Sequence, residues 1–122
     1  MLVAIDVAKY LLSIVDTAQG QVISNFVLQN LLYFCQGYFL ALKNGKEVLF
    51  NEDIVVWKFG PVVEAVYRNY KDYGSKSLPT NEITEEIVDR LNYDQKKVIK
   101  YVNDVYKFCS FKKVNILKYI FL

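Results

Sequence analysis

Residues 24–43 read SNFVLQNLLYFCQGYFLALK, and this stretch predicts the helix around which the fold is built. Apolar side chains recur in it at steps of three and four, the spacing of one helix face. That stripe comprises Leu28, Leu31, Leu32, Cys35, Tyr38, Phe39 and Leu42, and it is widened by Phe26, Phe34 and Leu40. Ser24 or Asn25 can cap the start, and Asn44-Gly45 provides a stop. A helix this apolar normally lies at the centre of a fold.

The rest of the chain predicts a mainly α fold, a compact bundle of about five helices around the central helix. Further helices are expected over residues 2–18, 61–73 and 83–91, and after Asn92. Asn92 and Gln95 have the spacing of a capping box for the last of these helices. In the first helix, Asp6 falls on the side that is expected to face solvent.

Residues 48–57 change to a β-rich pattern, which predicts a short hairpin. Its strands are expected at 48–50 and 54–57, joined by the polar turn Asn51-Glu52-Asp53. Gly60 then allows a sharp corner, and Pro61 suits the first position of the following helix because its missing N–H costs nothing there.

Composition places the chain among folded domains and removes several classes of enzyme. Its 122 residues, 53% hydrophobic and 23% charged, correspond to one domain over 1–122. The chain has no His, which removes His-based catalytic triads and most zinc sites. The five Gly are isolated, so no phosphate-binding loop is formed. We expect a protein that is not an enzyme and uses no cofactor or metal.

The two cysteines and the apolar runs bear on the compartment. Cys35 and Cys109 fall on apolar helical faces, so two buried free thiols in a reducing cytosol are expected. A disulfide would require that the two helices touch. Asp6 and Lys9 interrupt the apolar N-terminus, which argues against a signal peptide. The run 31–42 is too short to span a bilayer, so we expect a cytoplasmic protein without a membrane partner.

Lysines are concentrated in the last quarter of the chain, although the net charge is only +2. They are interleaved with Tyr and Phe and comprise Lys96, Lys97, Lys100, Lys107, Lys112, Lys113 and Lys118. Phosphate contact combined with base stacking would suit this pattern, which gives an alternative: a small Lys-rich nucleic-acid-binding protein of a phage or mobile element. A solvated lysine face on an amphipathic helix is the favoured interpretation, because the stretch has no Arg and no recognition-helix motif.

Four residues of the central helix are candidates for partner contact. Gln29, Tyr33, Gln36 and Gly37 lie together, away from the Leu stripe. Buried amides need hydrogen-bond partners, which either the fold or a bound protein can supply. Gly37 in mid-helix suggests a close crossing of another backbone, again within the fold or from a partner.

Trp57 and Tyr67 allow two interpretations. A Trp in this position most often fills the core, with its indole N–H bonded to a carbonyl, and we expect Trp57 there. The alternative places Trp57 at the rim of a partner-binding groove. Gly60 and Pro61 are expected to be architectural first and part of a binding surface second.

Three ordered motifs carry a family resemblance. They are DVAKYLL at 6–12, LQNLLYFCQGYFLA at 28–41 and EDIVVWKFGPVV at 52–63, followed by Val66-Tyr67. Together they resemble the SocA-like antitoxin family, also called the Panacea domain, often described as phage-associated or GepA-like. The family's marks are a Leu-Gln-Lys-Leu-Leu-Tyr-Tyr-Ala-Gln-Gly-Tyr helix and a Trp-Lys-Tyr-Gly-Pro-Val segment. The resemblance is strongest over residues 5–74.

The resemblance implies a small helical domain that acts as the antitoxin of a bacterial or phage toxin–antitoxin pair. Such domains neutralise a cognate protein toxin by binding it, and some members serve as adaptors that deliver the toxin to a protease. We expect the partner surface to include Gln29, Tyr33, Gln36, Gly37, Trp57, Lys58, Gly60, Pro61 and Tyr67.

The C-terminal segment departs from the family pattern. Residues 107–122 lack the Thr-His pair and the Trp found in family members, which suggests a C-terminally truncated member. Seven of the last nine residues are apolar, and such a cluster must be covered. It can fold back on the domain or pair with a second copy, and we expect a homodimer.

Overall fold

A computed structural model describes residues 2–112, except for the side chain of Phe111. The fold is mainly α-helical with one short antiparallel hairpin in this range, as the sequence predicts. The elements are α1 (Ala4–Ser13), a 3₁₀ turn (Thr17–Gln19), α2 (Asn25–Leu42), β1 (Val55–Trp57), β2 (Gly60–Val62), α3 (Glu64–Tyr70), a second 3₁₀ turn (Lys71–Tyr73), α4 (Glu85–Arg90) and α5 (Tyr93–Lys112). The predicted C-terminal apolar cluster and dimer contact, with Lys113 and Lys118, lie outside the described residues.

Helix α2 is the central element, which confirms the first prediction. It contacts α1, α3, α5 and strand β2. Its start is capped by the Ser24 hydroxyl, which accepts a hydrogen bond from the Val27 N–H at 3.3 Å. Beyond its end, the N–H of Gly45 donates to the Leu40 carbonyl at 2.7 Å. The most deeply buried side chains of α2 are apolar: Leu28, Leu31, Leu32, Cys35 and Phe39.

Helix α5 runs antiparallel to α2. Asp94, near its start, pairs with Lys43 at the end of α2 (2.6 Å), and Tyr101 stacks on Tyr38 at a centroid distance of 4.9 Å. The predicted capping box is confirmed: the Asn92 N–H donates to Gln95 Oε1 at 2.8 Å, and the Gln95 N–H donates to Asn92 Oδ1 at 2.9 Å. Hydrogen bonding to Lys43 lowers the pKa of Asp94.

The hairpin lies further along the chain than its predicted position. Strand β1 pairs with β2, and residues 48–50 form no strand. The reason is a side chain: Gln36 accepts the Leu49 N–H and donates to the Phe50 carbonyl, each at 2.7 Å. An amide on α2 therefore replaces the strand partner that this segment was expected to have.

Pro61 lies inside β2 and does not begin the next helix, which corrects the prediction. It faces Val56 across the hairpin. In an antiparallel ladder every second pair exchanges no hydrogen bonds, so a residue without an N–H is tolerated at such a position. Helix α3 begins only at Glu64, one residue after a buried Val63.

Asp6 is buried, although its position in the helical pattern assigned it to the solvent side. Its side chain is 5% exposed and accepts hydrogen bonds from the Val3 N–H (3.2 Å) and from Arg90 Nη1 (3.1 Å). Helix α4 contacts α1 and supplies this arginine. A carboxylate near a helix N-terminus also interacts favourably with the helix dipole. The ion pair with Arg90, which is distant in sequence, thus offsets the cost of burying the Asp6 carboxylate.

Both cysteines are buried and free, as predicted. Burial raises the pKa of the Cys35 thiol, so the reactive thiolate is disfavoured.

In a Cys109→Ser variant, which isolates Cys35, we expect native protein to react with Ellman's reagent at least about a hundredfold more slowly than denatured protein. Equal rates in the two states would contradict this burial.

Candidate partner-binding groove

A groove opens between the N-terminal turn of α2, the hairpin and residues 64–75, which comprise α3 and the turn after it and are called the α3 segment below. Its volume is about 390 Å³. It is lined by Asn25, Phe26, Gln29, Trp57, Lys58, Phe59, Gly60, Pro61, Val62, Tyr67, Lys71, Gly74 and Ser75. Six of the predicted site residues therefore line the groove, namely Gln29, Trp57, Lys58, Gly60, Pro61 and Tyr67.

Trp57 lies at the groove and not in the core, which corrects the favoured interpretation. Trp57 is 39% exposed. The indole meets Tyr67 edge to face, with the ring centroids 5.0 Å apart. Strand β1 turns this residue toward α3, but Tyr67 covers only part of the ring. The uncovered part contributes to the groove wall.

Two phenylalanines that were not predicted as site residues extend the aromatic surface. Phe26 on α2 is 57% exposed, and Phe59 in the hairpin loop is 74% exposed. Lys58 Nζ lies over the Phe59 ring, 5.4 Å from its centroid. Neither phenylalanine contributes to the buried core. Their positions in the sequence were the signal that could have found them: Phe26 lies outside the main stripe of α2, and Phe59 follows a predicted strand.

The hairpin turn depends on Gly60. Its φ is +130°, a conformation that side-chain-bearing residues rarely adopt. A Cβ built there would lie 3.5 Å from Asn30 Oδ1, which is ordinary contact, so the restriction comes from the backbone. This agrees with the sharp corner expected at Gly60 and fixes how Trp57 and Phe59 are presented.

The groove floor is held by a buried amide network. Gln29 donates to Asn25 Oδ1 at 2.9 Å and accepts the Val63 N–H at 2.8 Å. Asn25 in turn donates to the Tyr67 carbonyl at 3.0 Å. Of the two alternatives for Gln29, intramolecular hydrogen bonding is the one present in the structure. Gln29 positions the hairpin and α3 against α2.

The other three predicted residues of α2 do not line the groove. Gln36 is buried and bonded to the main chain at residues 49 and 50. Gly37 is half-buried, and Tyr33 is 42% exposed and meets Phe34 edge to face at 5.6 Å. Of the four residues expected to lie together on α2, only Gln29 lines the groove, and Tyr33, Gln36 and Gly37 lie further along the helix.

The described lysines of α5 do not form an uninterrupted cationic surface. Lys107 pairs with Asp16 at 3.3 Å, and Lys97 lies over the Tyr93 ring at 6.0 Å. Asp94 and Asp104 lie on the same helix.

Residues 2–112 contain no group of three or more His, Cys, Asp or Glu side chains placed to hold a metal ion. Over the same range, none of the helices has the length and apolarity needed to cross a membrane.

Comparison with known proteins gives a family. The family model described as "Antitoxin SocA-like, Panacea domain" matches residues 28–120, more than half of the chain. The chain is 41% identical over 70 residues to Antitoxin SocA of Caulobacter vibrioides (strain NA1000 / CB15N), an overlap of 57% of this chain and 36% of that protein. The overlap thus spans about a third of the relative's length. No solved structure matches significantly. The chain belongs to the SocA-like antitoxin family with a Panacea domain.

Proposed function

We propose that this protein is an antitoxin that neutralises a cognate protein toxin by binding it through the groove. The observation that carries the proposal is the cluster of exposed aromatic rings, Phe26, Trp57 and Phe59, around one concave surface. Aromatic residues are enriched in protein interfaces and contribute disproportionately to binding energy. In a member of an antitoxin family, this surface is the best candidate for toxin contact.

The proposed role requires binding alone, with no catalysis and no cofactor. Buried free thiols at Cys35 and Cys109 suit a reducing compartment, so we place the activity in the cytoplasm. Delivery of the toxin to a protease is a further step within the same proposal. It requires that the groove be occupied first, because an adaptor must hold its cargo.

Co-expression with the protein encoded beside this chain's gene tests the proposal. We expect that neighbour to arrest growth when produced alone, and this chain to restore growth and to co-purify with it. Toxin that accumulates while growth is restored would indicate neutralisation by binding alone, whereas loss of the toxin would indicate the adaptor route. Growth arrest that persists despite soluble expression of this chain would contradict the proposal.

Salt separates this function from the nucleic-acid alternative. A contact that neutralises six or more phosphates loses about a thousandfold in affinity between about 50 and 200 mM salt. A complex built on buried aromatic side chains depends much less on counterions. We expect the co-purified complex to persist in the higher salt, and its dissociation there would favour the alternative.

A further inference from the structure

We propose that the groove selects a toxin segment in which one large apolar side chain is flanked by carboxylates. This inference rests on the proposed function and adds the chemistry of the partner. It concerns a single occupant, a short acidic segment seated between α2, the hairpin and the α3 segment.

The charges that line the groove have one sign. Lys58 and Lys71 are exposed lining residues, and no Asp or Glu is among the residues that line it. Ion pairs in the described part of the chain use other cations, namely Lys43, Arg68, Arg90 and Lys107. Both groove amines therefore lack a carboxylate from residues 2–112 and can pair with one from a bound segment.

The two side-chain amides that line the groove, those of Asn25 and Gln29, already form hydrogen bonds within the protein. Gln29 bonds Asn25 and the Val63 N–H, and Asn25 bonds the Tyr67 carbonyl. Apart from the hydroxyls of Ser75 and Tyr67, the side-chain polar groups left for a ligand are thus the indole N–H of Trp57 and the two ammonium groups, all of which only donate hydrogen bonds. A carboxylate is the complementary acceptor.

The size and walls of the groove fit an apolar anchor. Its volume of about 390 Å³ is near the lower end of the range of about 300–1,000 Å³ for sites that enclose small ligands. Such a volume accepts one or two large side chains and not a whole helix. Trp57, Tyr67 and Phe59 provide aromatic surface for that side chain.

The position of Trp57 gives a direct test, because it is the only tryptophan of the chain. Its fluorescence can be followed while three blocked peptides are added: DEFED, the uncharged SNFNS and the anchorless DEAED. We expect DEFED to bind about three- to tenfold more tightly than SNFNS, the effect of two exposed charge pairs. DEAED should give no saturable change, because it lacks the apolar anchor.

The matched variant is Lys58→Gln with Lys71→Gln. It should lose the preference for DEFED, so that DEFED and SNFNS bind the variant with equal affinity. Equal affinities of DEFED and SNFNS for the parent, a preference that survives in the variant, or no response to any peptide would each overturn the inference.

The antitoxin proposal and the charge selection by the groove can be overturned independently of each other. If DEFED binds as expected while the neighbouring gene's product is not neutralised, the groove chemistry stands and the antitoxin proposal falls. If that toxin is neutralised equally well by the double variant and the peptides show no acidic preference, the charge selection falls and the antitoxin proposal stands.

Discussion

Replacing Gln36 with Met is expected to lower the free energy of unfolding by about 2–5 kcal/mol, although the two side chains have similar size. Gln36 is buried and holds both the Leu49 N–H and the Phe50 carbonyl at 2.7 Å. Met can fill the space but satisfies neither group, and each buried unpaired group costs about 1–3 kcal/mol. Urea denaturation followed by circular dichroism measures the difference.

Gln19→Met provides the matched control. Gln19 is exposed in the first 3₁₀ turn, so the same chemical change should alter stability by no more than about 0.5 kcal/mol. If Gln36→Met were as stable as this control, the loop over residues 49–50 would not depend on the amide, and Gln36 would return to the list of partner-binding candidates.

The central helix could be predicted because its signal is local. Apolar residues at helical spacing, Ser24 before them and Gly45 after them lie within one continuous stretch. Ser24 caps the start, Gly45 follows the end, and the predicted stripe is buried except for the half-buried Tyr38 and for Leu42, which is 48% exposed. The hairpin position depended on Gln36, which binds the main chain of two residues that lie 13 and 14 positions further along the sequence. Burial of Asp6 depended on Arg90, which is 84 residues away. Spacing along the chain carries no information about such pairings.

The groove could be predicted in part for the same reason. The motif at 52–63 contains Trp57, Gly60 and Pro61, and the structure keeps these residues together at one site. Helical periodicity assigns Phe26 to the apolar surface of α2, because periodicity does not show where neighbouring elements stop covering a helix. Periodicity also groups Gln36 with Gln29 on one face, yet the two amides hold different segments of the chain.

Substituting the groove aromatics should produce the largest effect on toxin binding. We expect Phe59→Ala or Trp57→Ala to weaken the complex by at least about 2 kcal/mol, about thirtyfold, as for interface residues that dominate affinity. Stability should change little for Phe59, which is 74% exposed. Trp57→Ala should cost about 1–2 kcal/mol of stability, because the ring is only partly covered and its contact with Tyr67 is lost.

Two exposed apolar residues outside the groove serve as controls. Val56 is 86% exposed and lies next to Trp57 on β1, with its side chain on the opposite face of the hairpin. Tyr93, at the start of α5, is 76% exposed. Neither lines the groove, so Val56→Ala and Tyr93→Ala should bind the toxin as the parent does. Loss of binding in both would move the toxin contact away from the groove.

The most direct test of the antitoxin proposal is the dissociation constant of the complex with the co-purified toxin, measured by titration calorimetry for the parent, Phe59→Ala and Tyr93→Ala. Each variant is first shown to unfold at the parent's temperature. Toxin binding in the groove predicts that Phe59→Ala raises the dissociation constant at least about thirtyfold while Tyr93→Ala leaves it unchanged. A folded Phe59→Ala variant that binds the toxin as tightly as the parent would contradict it.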